Sequence, residues 1–266
     1  MSGSSSKPVA VVTGASAGIG AVYAERLAAR GYDLVLVARR ADRLQTLSAK
    51  LAAAHGVKVD VVEADLTQEA DLARVEQAIK ANPAISLLVN NAGAATLTSV
   101  AKTSEAQAAS MIALNVTALT RLTQAVLPAF LARNEGAIIN IASVLSLHSL
   151  PISAIYSGTK GYVMNFSRGL QQELADTGVR LQLVLPATTA TEIWDLAGVP
   201  LASLNQANVM SAEDLVDAAL AGFDKDEPVT LPSVADASLW DRFDQARSTL
   251  FAGSQSGEPA PRYRAA

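Results

Sequence analysis

The chain of 266 residues contains no cysteine. Disulfides, thiolate nucleophiles and cysteine-held metals are therefore excluded. His55 and His148 are the only histidines, too few for a histidine metal site, so no metal is expected. Basic residues number 21 against 25 acidic ones, a net charge of −4. No basic stripe appears, and nucleic acid is not an expected partner. A membrane-length apolar run is also missing. Residues 136–159 lack Asp, Glu, Lys and Arg, but Asn140, Ser143, Ser146, His148, Ser149, Pro151 and Ser153 interrupt them, so this stretch would span a bilayer poorly. The first seven residues, Met1–Lys7, are small and polar with no apolar segment. They read as a disordered lead-in and not a secretory signal, which makes a cytoplasmic location the expectation.

What is present is apolar and periodic. Half the chain is hydrophobic, enough for one large core. Short apolar runs at 8–13, 34–37, 57–62, 86–89, 137–141, 180–185 and 229–231 have the composition of strands buried on both faces. Helical patterns fall between them at 18–30, 40–54, 69–81, 104–133, 156–177 and 211–223. Strand alternating with helix predicts an α/β fold, a doubly wound parallel sheet of about seven strands with helices on both faces. A further helix is expected at 236–251, with Trp240, Phe243, Leu250 and Phe251 mostly on one side. The domain is expected to run from 8 to 252, with 253–266, rich in Gly, Pro and Ser, as a mobile tail.

The first strand runs into Thr13-Gly14-Ala15-Ser16-Ala17-Gly18-Ile19-Gly20. Missing Cβ atoms let a backbone approach a pyrophosphate, and the N–H groups of the following helix face the anion. A tight turn with no ligand is the plainer alternative. The second strand ends Val37-Ala38-Arg39-Arg40, where a doubly wound fold meets the adenosine ribose. An acid there would suit NAD(H), whereas guanidinium groups pair with a 2′-phosphate, so Arg39 and Arg40 favour NADP(H) over NAD(H). Asp65 and Leu66, closing the third strand, are placed to meet the adenine; Asp65 could equally cap the next helix.

Tyr156 and Lys160 lie at i, i+4 on one helical face. A free phenol titrates near 10, too high for acid/base work at neutral pH; a nearby ammonium and an oxidised nicotinamide would lower it. Ser143, just past the fifth strand, can donate to a substrate oxygen and fix it near the phenol. Asn115 could anchor a water next to Lys160. Between Tyr156 and Lys160 the intervening residues are treated as filler, with Gly158 and Gly161 weakening the helix slightly and permitting close packing.

These residues, in this order, resemble the short-chain dehydrogenase/reductase family over about Lys7 to Leu231. The resemblance implies a Rossmann-like fold, with Thr13 to Gly20 (Thr13, Gly14, Ser16, Gly18, Ile19 and Gly20) as cofactor turn. It implies that Asn90-Asn91-Ala92-Gly93 steadies the central sheet and passes beside the cofactor. It makes Asn115, Ser143, Tyr156 and Lys160 a catalytic tetrad: Tyr156 the acid/base, Ser143 orienting the carbonyl, Lys160 lowering the tyrosine pKa and binding the nicotinamide ribose, Asn115 holding a relay water. Pro186, Thr188 and Thr191 would meet the nicotinamide end. Ala187 stands where the family usually has glycine, and lacks glycine's freedom at positive φ, leaving the loop path open. A homodimer or homotetramer built on the helices near 104–133 and 156–177 is also implied.

Substrate walls are expected from 94–100, 144–155 and 186–210, none of which contains Lys or Arg, whereas Glu192 and Asp195 are present. A carboxylate, phosphate or coenzyme A normally meets a cation. Leu145, His148, Leu150, Ile193 and Trp194 are the candidate contacts, with Leu147, Ile152, Leu196 and Leu201 beside them. They predict a neutral, fairly apolar ketone or aldehyde, or the matching alcohol, as the small-molecule partner. A 3-oxoacyl thioester reductase and a non-catalytic NADP(H)-binding sensor are the alternatives. Residues 192–210 have few helix or strand cues, which suits a mobile lid.

Overall fold

A computed structural model describes residues 7–264. They fall into two compact units divided between Pro232 and Ser233, ahead of residue 252 where the sequence reading ended its domain. The first unit contains, in order, β1 Val9–Thr13, α1 Gly18–Ala29, β2 Asp33–Ala38, α2 Ala41–His55, β3 Val59–Glu63, α3 Glu69–Ala81 and β4 Ile85–Asn90. Then come α4 Glu105–Ile112, α5 Leu119–Arg133, β5 Gly136–Ile141, α6 Ala154–Glu173, β6 Val179–Val184, α7 Ile193–Leu196, α8 Ala212–Asp224 and β7 Val229–Thr230. The strands form one sheet in the order β3-β2-β1-β4-β5-β6-β7, every pair parallel. Parallel strands need crossover helices, and these cover both faces. On one face Leu27 of α1, Leu44 of α2 and Leu215 of α8 pack on Val12, Leu36 and Ile139. On the other, Val75 of α3, Val126 of α5 and Leu170 of α6 pack on Val11, Leu88 and Ile138. Strand order reverses between β1 and β4, and a crevice opens outside their carboxyl ends, where such sheets bind ligands.

The helix expected over 104–133 is interrupted. A π-turn at Ala113–Ala118 separates α4 from α5. Such turns insert one residue and re-aim its neighbours; here the turn carries Asn115. Residues 192–210, read as having few cues, hold the single turn α7 and two 3-10 turns, Leu201–Ser203 and Gln206–Asn208.

The second unit contains α9 Ser238–Gly253 and a 3-10 turn at Pro261–Tyr263. Trp240 and Phe243 pair with ring centroids 5.6 Å apart, and Leu250 and Phe251 are exposed. Residues 1–6 of the expected lead-in, Met1–Lys7, and the last two residues of the expected tail lie outside the described residues.

Candidate active site

The glycine turn is built by close approach. Gly14 and Gly18 have φ of 67° and 54°, a region that side-chain-bearing residues rarely adopt. A Cβ on Gly20 would lie 2.4 Å from the Gly14 carbonyl oxygen and 2.5 Å from Asn91 Nδ2. α1 opens with no side-chain cap and no acid in its first turn, so its orphan N–H groups point at the crevice uncompensated. A cradle of this shape and polarity fits the pyrophosphate of a dinucleotide.

Thr13 and Asn91 bind the ends of β1 and β4 together. Thr13 Oγ1 donates to the Val89 carbonyl and accepts from the Asn91 and Ala92 N–H groups; Asn91 Nδ2 donates to the Thr13 carbonyl at 2.9 Å. A second, fully buried series links β4, β5 and α6: Asn90 Nδ2 donates to Asn140 Oδ1 at 2.9 Å, and Asn140 Nδ2 to Ser167 Oγ at 2.9 Å. Asn140 was missed from sequence, although an amide inside the apolar run 137–141 was a signal, since a buried amide must find partners.

Asn115 does not face the cavity. Its Oδ1 accepts from the Ala94 N–H, and its Nδ2 donates to the Ala94 carbonyl and to Thr159 Oγ1, each at 2.9 Å. Thr159 Oγ1 in turn donates to the Tyr156 carbonyl at 2.7 Å. The Asn115 amide is thus engaged in fixing the first turns of α6, and Thr159, treated as filler, is the link. Gly158 and Gly161, expected to permit close packing, have no described atom from outside their own stretch of helix within 4 Å of an added Cβ.

Ser143, Tyr156 and Lys160 meet at one side of the cavity. Ser143 Oγ accepts from the Leu145 N–H at 3.1 Å, which sets the turn after β5. Lys160 is buried, its Nζ donating to the Ile141 carbonyl at 2.9 Å and lying 5.9 Å from the centre of the Tyr156 ring. Burial lowers the Lys160 pKa to about 8. Burial also pushes the Tyr156 phenol up to about 12, with Ser143 pulling it back. Desolvation of the buried ring outweighs the pull of Ser143. At neutral pH the phenol is a proton donor.

The cavity, about 570 Å³, contains most of the predicted contacts. Gly14, Ser16, Gly18 and Ile19 line it at the glycine turn, expected from sequence to be a phosphate end; Arg39, Arg40, Asp65 and Leu66 line it past the ends of β2 and β3, expected to be an adenosine end; Asn91, Ala92, Gly93, Pro186, Thr188 and Thr191 also line it. Thr13 and Gly20 stand behind the lining. Asp65 Oδ1 accepts from Thr67, and α3 has no side-chain cap, so the capping alternative is not realised. Leu145, Leu150, Ile193 and Trp194 line the substrate end, with Leu97, Leu114 and Leu196. His148 and Ile152 are exposed and outside the lining, and the half-buried Leu147 and Leu201 are outside it too. Ala187 is not among the residues with positive φ, so this loop has no need of glycine there.

Comparison with known proteins agrees with this geometry. The family model for short chain dehydrogenase matches residues 8–198. The chain belongs to the short-chain dehydrogenase/reductase family, oxidoreductases that act on CH–OH groups with a nicotinamide dinucleotide. A short-chain dehydrogenase from Sphingobium yanoikuyae, solved in complex with NADPH, is 46% identical; the match covers 97% of this chain and 100% of that one, with a TM-score of 0.94. The bulky-bulky ketone specific alcohol dehydrogenase from Comamonas testosteroni is 40% identical, covers 97% of this chain and 99% of its own, and has a TM-score of 0.90. Very-long-chain 3-oxoacyl-CoA reductase-A from Danio rerio is 36% identical over 188 residues, 69% of this chain and 59% of that protein. The chain thus spans about 60% of the length of the curated relatives it matches. No helix among the described residues is long and apolar enough to cross a membrane.

Proposed function

We propose that this chain reduces neutral ketones carrying bulky apolar groups, using NADPH, with Tyr156 as the proton donor. The carrying observation is the cavity itself: a tyrosine, serine and lysine at one side, leucine, isoleucine and tryptophan around the substrate end, and no cation there. Its basic lining residues are Arg39, Arg40 and Lys160; the first two belong to the adenosine end.

A bound NADPH supplies the hydride. The chain does the rest. Leu97, Leu145, Ile193 and Trp194 exclude water and select apolar substituents. The Ser143 hydroxyl donates to the carbonyl oxygen and holds it at the phenol. Tyr156, protonated at neutral pH, gives up its proton to that oxygen. Lys160 binds the nicotinamide ribose and stabilises the phenolate left behind. Asn115 and Thr159 keep α6 in register, so that these groups stay aligned.

NADP(H) over NAD(H) is supported by Ala38 and Arg39. Arg39 is exposed at the cavity edge and has no ion-pair partner among the described residues, free to take a 2′-phosphate. The NADPH complex of the Sphingobium relative points the same way, and the ketone specificity of the Comamonas relative fits the apolar walls. A 3-oxoacyl thioester is the second reading, favoured by the Danio relative and disfavoured by the lack of a cation at the substrate end. A homodimer or homotetramer is part of the proposal. Ile112, Leu131 and Tyr162, exposed on α4, α5 and α6, are the surfaces to bury; sedimentation showing only monomer at micromolar concentration would count against it.

The test is NADPH consumption against bulky neutral ketones, keto acids and acyl thioesters, with Tyr156→Phe as control. Ketone turnover that falls at least a hundredfold in Tyr156→Phe, at unchanged NADPH affinity, is expected; general acid catalysis is worth about 10²–10⁴-fold. Retained turnover would remove Tyr156 from the mechanism. Turnover of thioesters alone would favour the second reading.

A further inference from the structure

After β6 the chain crosses the groove as a strap. Its root is closed by Thr188 and Met210: the Met210 N–H donates to the Thr188 carbonyl at 2.9 Å, and the Ala190 N–H to the Met210 carbonyl at 2.8 Å. Thr191 lies on the glycine turn, its Cγ2 3.0 Å from where a Cβ on Gly18 would stand. Trp194 Nε1 donates back to the Thr189 carbonyl at 2.8 Å. Further on, the Leu97 N–H donates to the Ala197 carbonyl at 3.2 Å. Between root and far end sits one charged tie. Glu192 Oε2 is 2.7 Å from Arg40 Nη1, and Glu192 Oε1 is 2.7 Å from Arg43 Nη1. Arg40 Nε also donates to Ser16 Oγ at 3.2 Å, within the glycine turn. One carboxylate therefore joins the strap to α2 and, through Arg40, to the cofactor turn.

This arrangement divides three neighbouring arginines. Arg40 and Arg43 are committed to Glu192; Arg39 has no ion-pair partner among the described residues. Glu192, Asp42 and Asp65 stand near these three guanidinium groups, so what the end offers an anion is the one arginine outside an ion pair and not a net field. Two ion pairs on one carboxylate also fix its geometry better than a single exposed pair.

We propose that Glu192 is a positioning residue that clamps the strap over the adenosine end of the groove and slows dinucleotide release, leaving Arg39 to read the 2′-phosphate. This rests on the cofactor reading above. The clamp acts on the strap, so it retains NADPH and NADH alike; Arg39 alone separates the two. Glu192 touches neither the hydride nor the carbonyl, and its effect reaches the dinucleotide through Arg40, Arg43 and the strap.

The experiment is stopped-flow release of NADPH, and separately of NADH, from wild type, Glu192→Gln, Arg43→Gln and the double variant, followed by cofactor fluorescence. Glu192→Gln is expected to speed release of both dinucleotides by the same factor, about three- to tenfold, the size of losing two exposed ion pairs. The double variant should release no faster than Glu192→Gln, because both changes break the same clamp. Glu192→Asp should recover part of the effect, and the thermal midpoint should stay put, which separates a clamp from general loosening. Unchanged release in Glu192→Gln would overturn the proposal. So would faster release confined to NADPH, which would make Glu192 part of 2′-phosphate recognition. Neither readout needs a ketone: loss of Tyr156-dependent turnover would sink the reductase reading and leave the release comparison standing, while equal release rates with turnover intact would sink only the clamp.

Discussion

Lys160 is a buried cation whose charge is opposed by the fold, and replacing it with methionine should expose that opposition. Burial moves its pKa from 10.5 to about 8, and among the described residues its ammonium donates one hydrogen bond, to the Ile141 carbonyl at 2.9 Å. Each pKa unit is worth about 1.4 kcal/mol, so carrying the proton at pH 7 costs the folded state about 3 kcal/mol. The folded pKa lies below the unfolded one. Between pH 8 and 10.5 the unfolded chain therefore binds more protons, and stability rises with pH across that window. Methionine fills the stem's space without the charge but leaves the Ile141 carbonyl without that donor, at a cost of about 1–3 kcal/mol. At pH 7 the two effects nearly offset, and Lys160→Met should be as stable as wild type or up to about 2 kcal/mol more so.

The decisive quantity is how the difference between the two proteins changes with pH, because the carbonyl's loss is the same at every pH. From about pH 7 to about pH 9.5 the wild-type penalty falls from about 3 to about 1 kcal/mol. Wild type should therefore gain about 2 kcal/mol on Lys160→Met over that interval, measured by urea unfolding of the cofactor-free proteins. A difference that does not move with pH would mean that the ammonium is not opposed by its surroundings. A movement of the opposite sign would mean that it is held by a negative partner. Either result would refute the reasoning from burial.

The same titration should appear in catalysis: reductive turnover at saturating NADPH is expected to decline as pH rises through about 8 while Lys160 loses its proton, with no acidic limb from Tyr156, whose pKa stands near 12; a pH–rate profile in which the basic limb persists in Lys160→Met would reassign it. Arg39→Ala should raise the KM for NADPH about 10- to 100-fold, the worth of charge-assisted bonds to a phosphate, and leave the KM for NADH unchanged; steady-state kinetics with both cofactors reads the split, and equal losses would remove Arg39 from 2′-phosphate recognition. Thr159→Val takes an acceptor from Asn115 Nδ2 and a donor from the Tyr156 carbonyl, and should destabilise by about 1–3 kcal/mol while lowering kcat more than it changes the KM for NADPH. A stable variant with normal kcat would show that this link does not position Tyr156.

The sheet was legible because a buried parallel strand must be apolar on both faces, and the seven apolar runs in 8–231 could be little else once helical patterns fell between them. The glycine turn, Ser143, Tyr156 and Lys160 were legible because each sits at a fixed offset from a strand end or on one helical face. Three things were not. The π-turn in the long helix has no period of its own, so the bonds of the Asn115 amide to Ala94 and Thr159 could not be read from the sequence. Thr159 looked like filler because its partners are 44 residues back and three residues back, and only the first makes it structural.

The third is the meaning of Glu192. In sequence it stands with Asp195 in a wall segment free of Lys and Arg, and it argued against an anionic substrate. The fold brings it to Arg40, 152 positions away, and to Arg43, which together hold its carboxyl at about 2. Asp195 is likewise engaged, accepting from the Leu201 N–H at 3.2 Å. Glu192's charge is answered by Arg40 and Arg43 and says nothing about what enters beside Leu145 and Trp194. The case for a neutral substrate therefore stands on different ground: Leu97, Leu145, Ile193 and Trp194 line that end, and every basic residue of the cavity wall belongs either to the adenosine end or to Lys160. A carboxylate or phosphate placed there would be desolvated with no cation to receive it, which is the costlier fault, and this holds whichever way Glu192 is mutated.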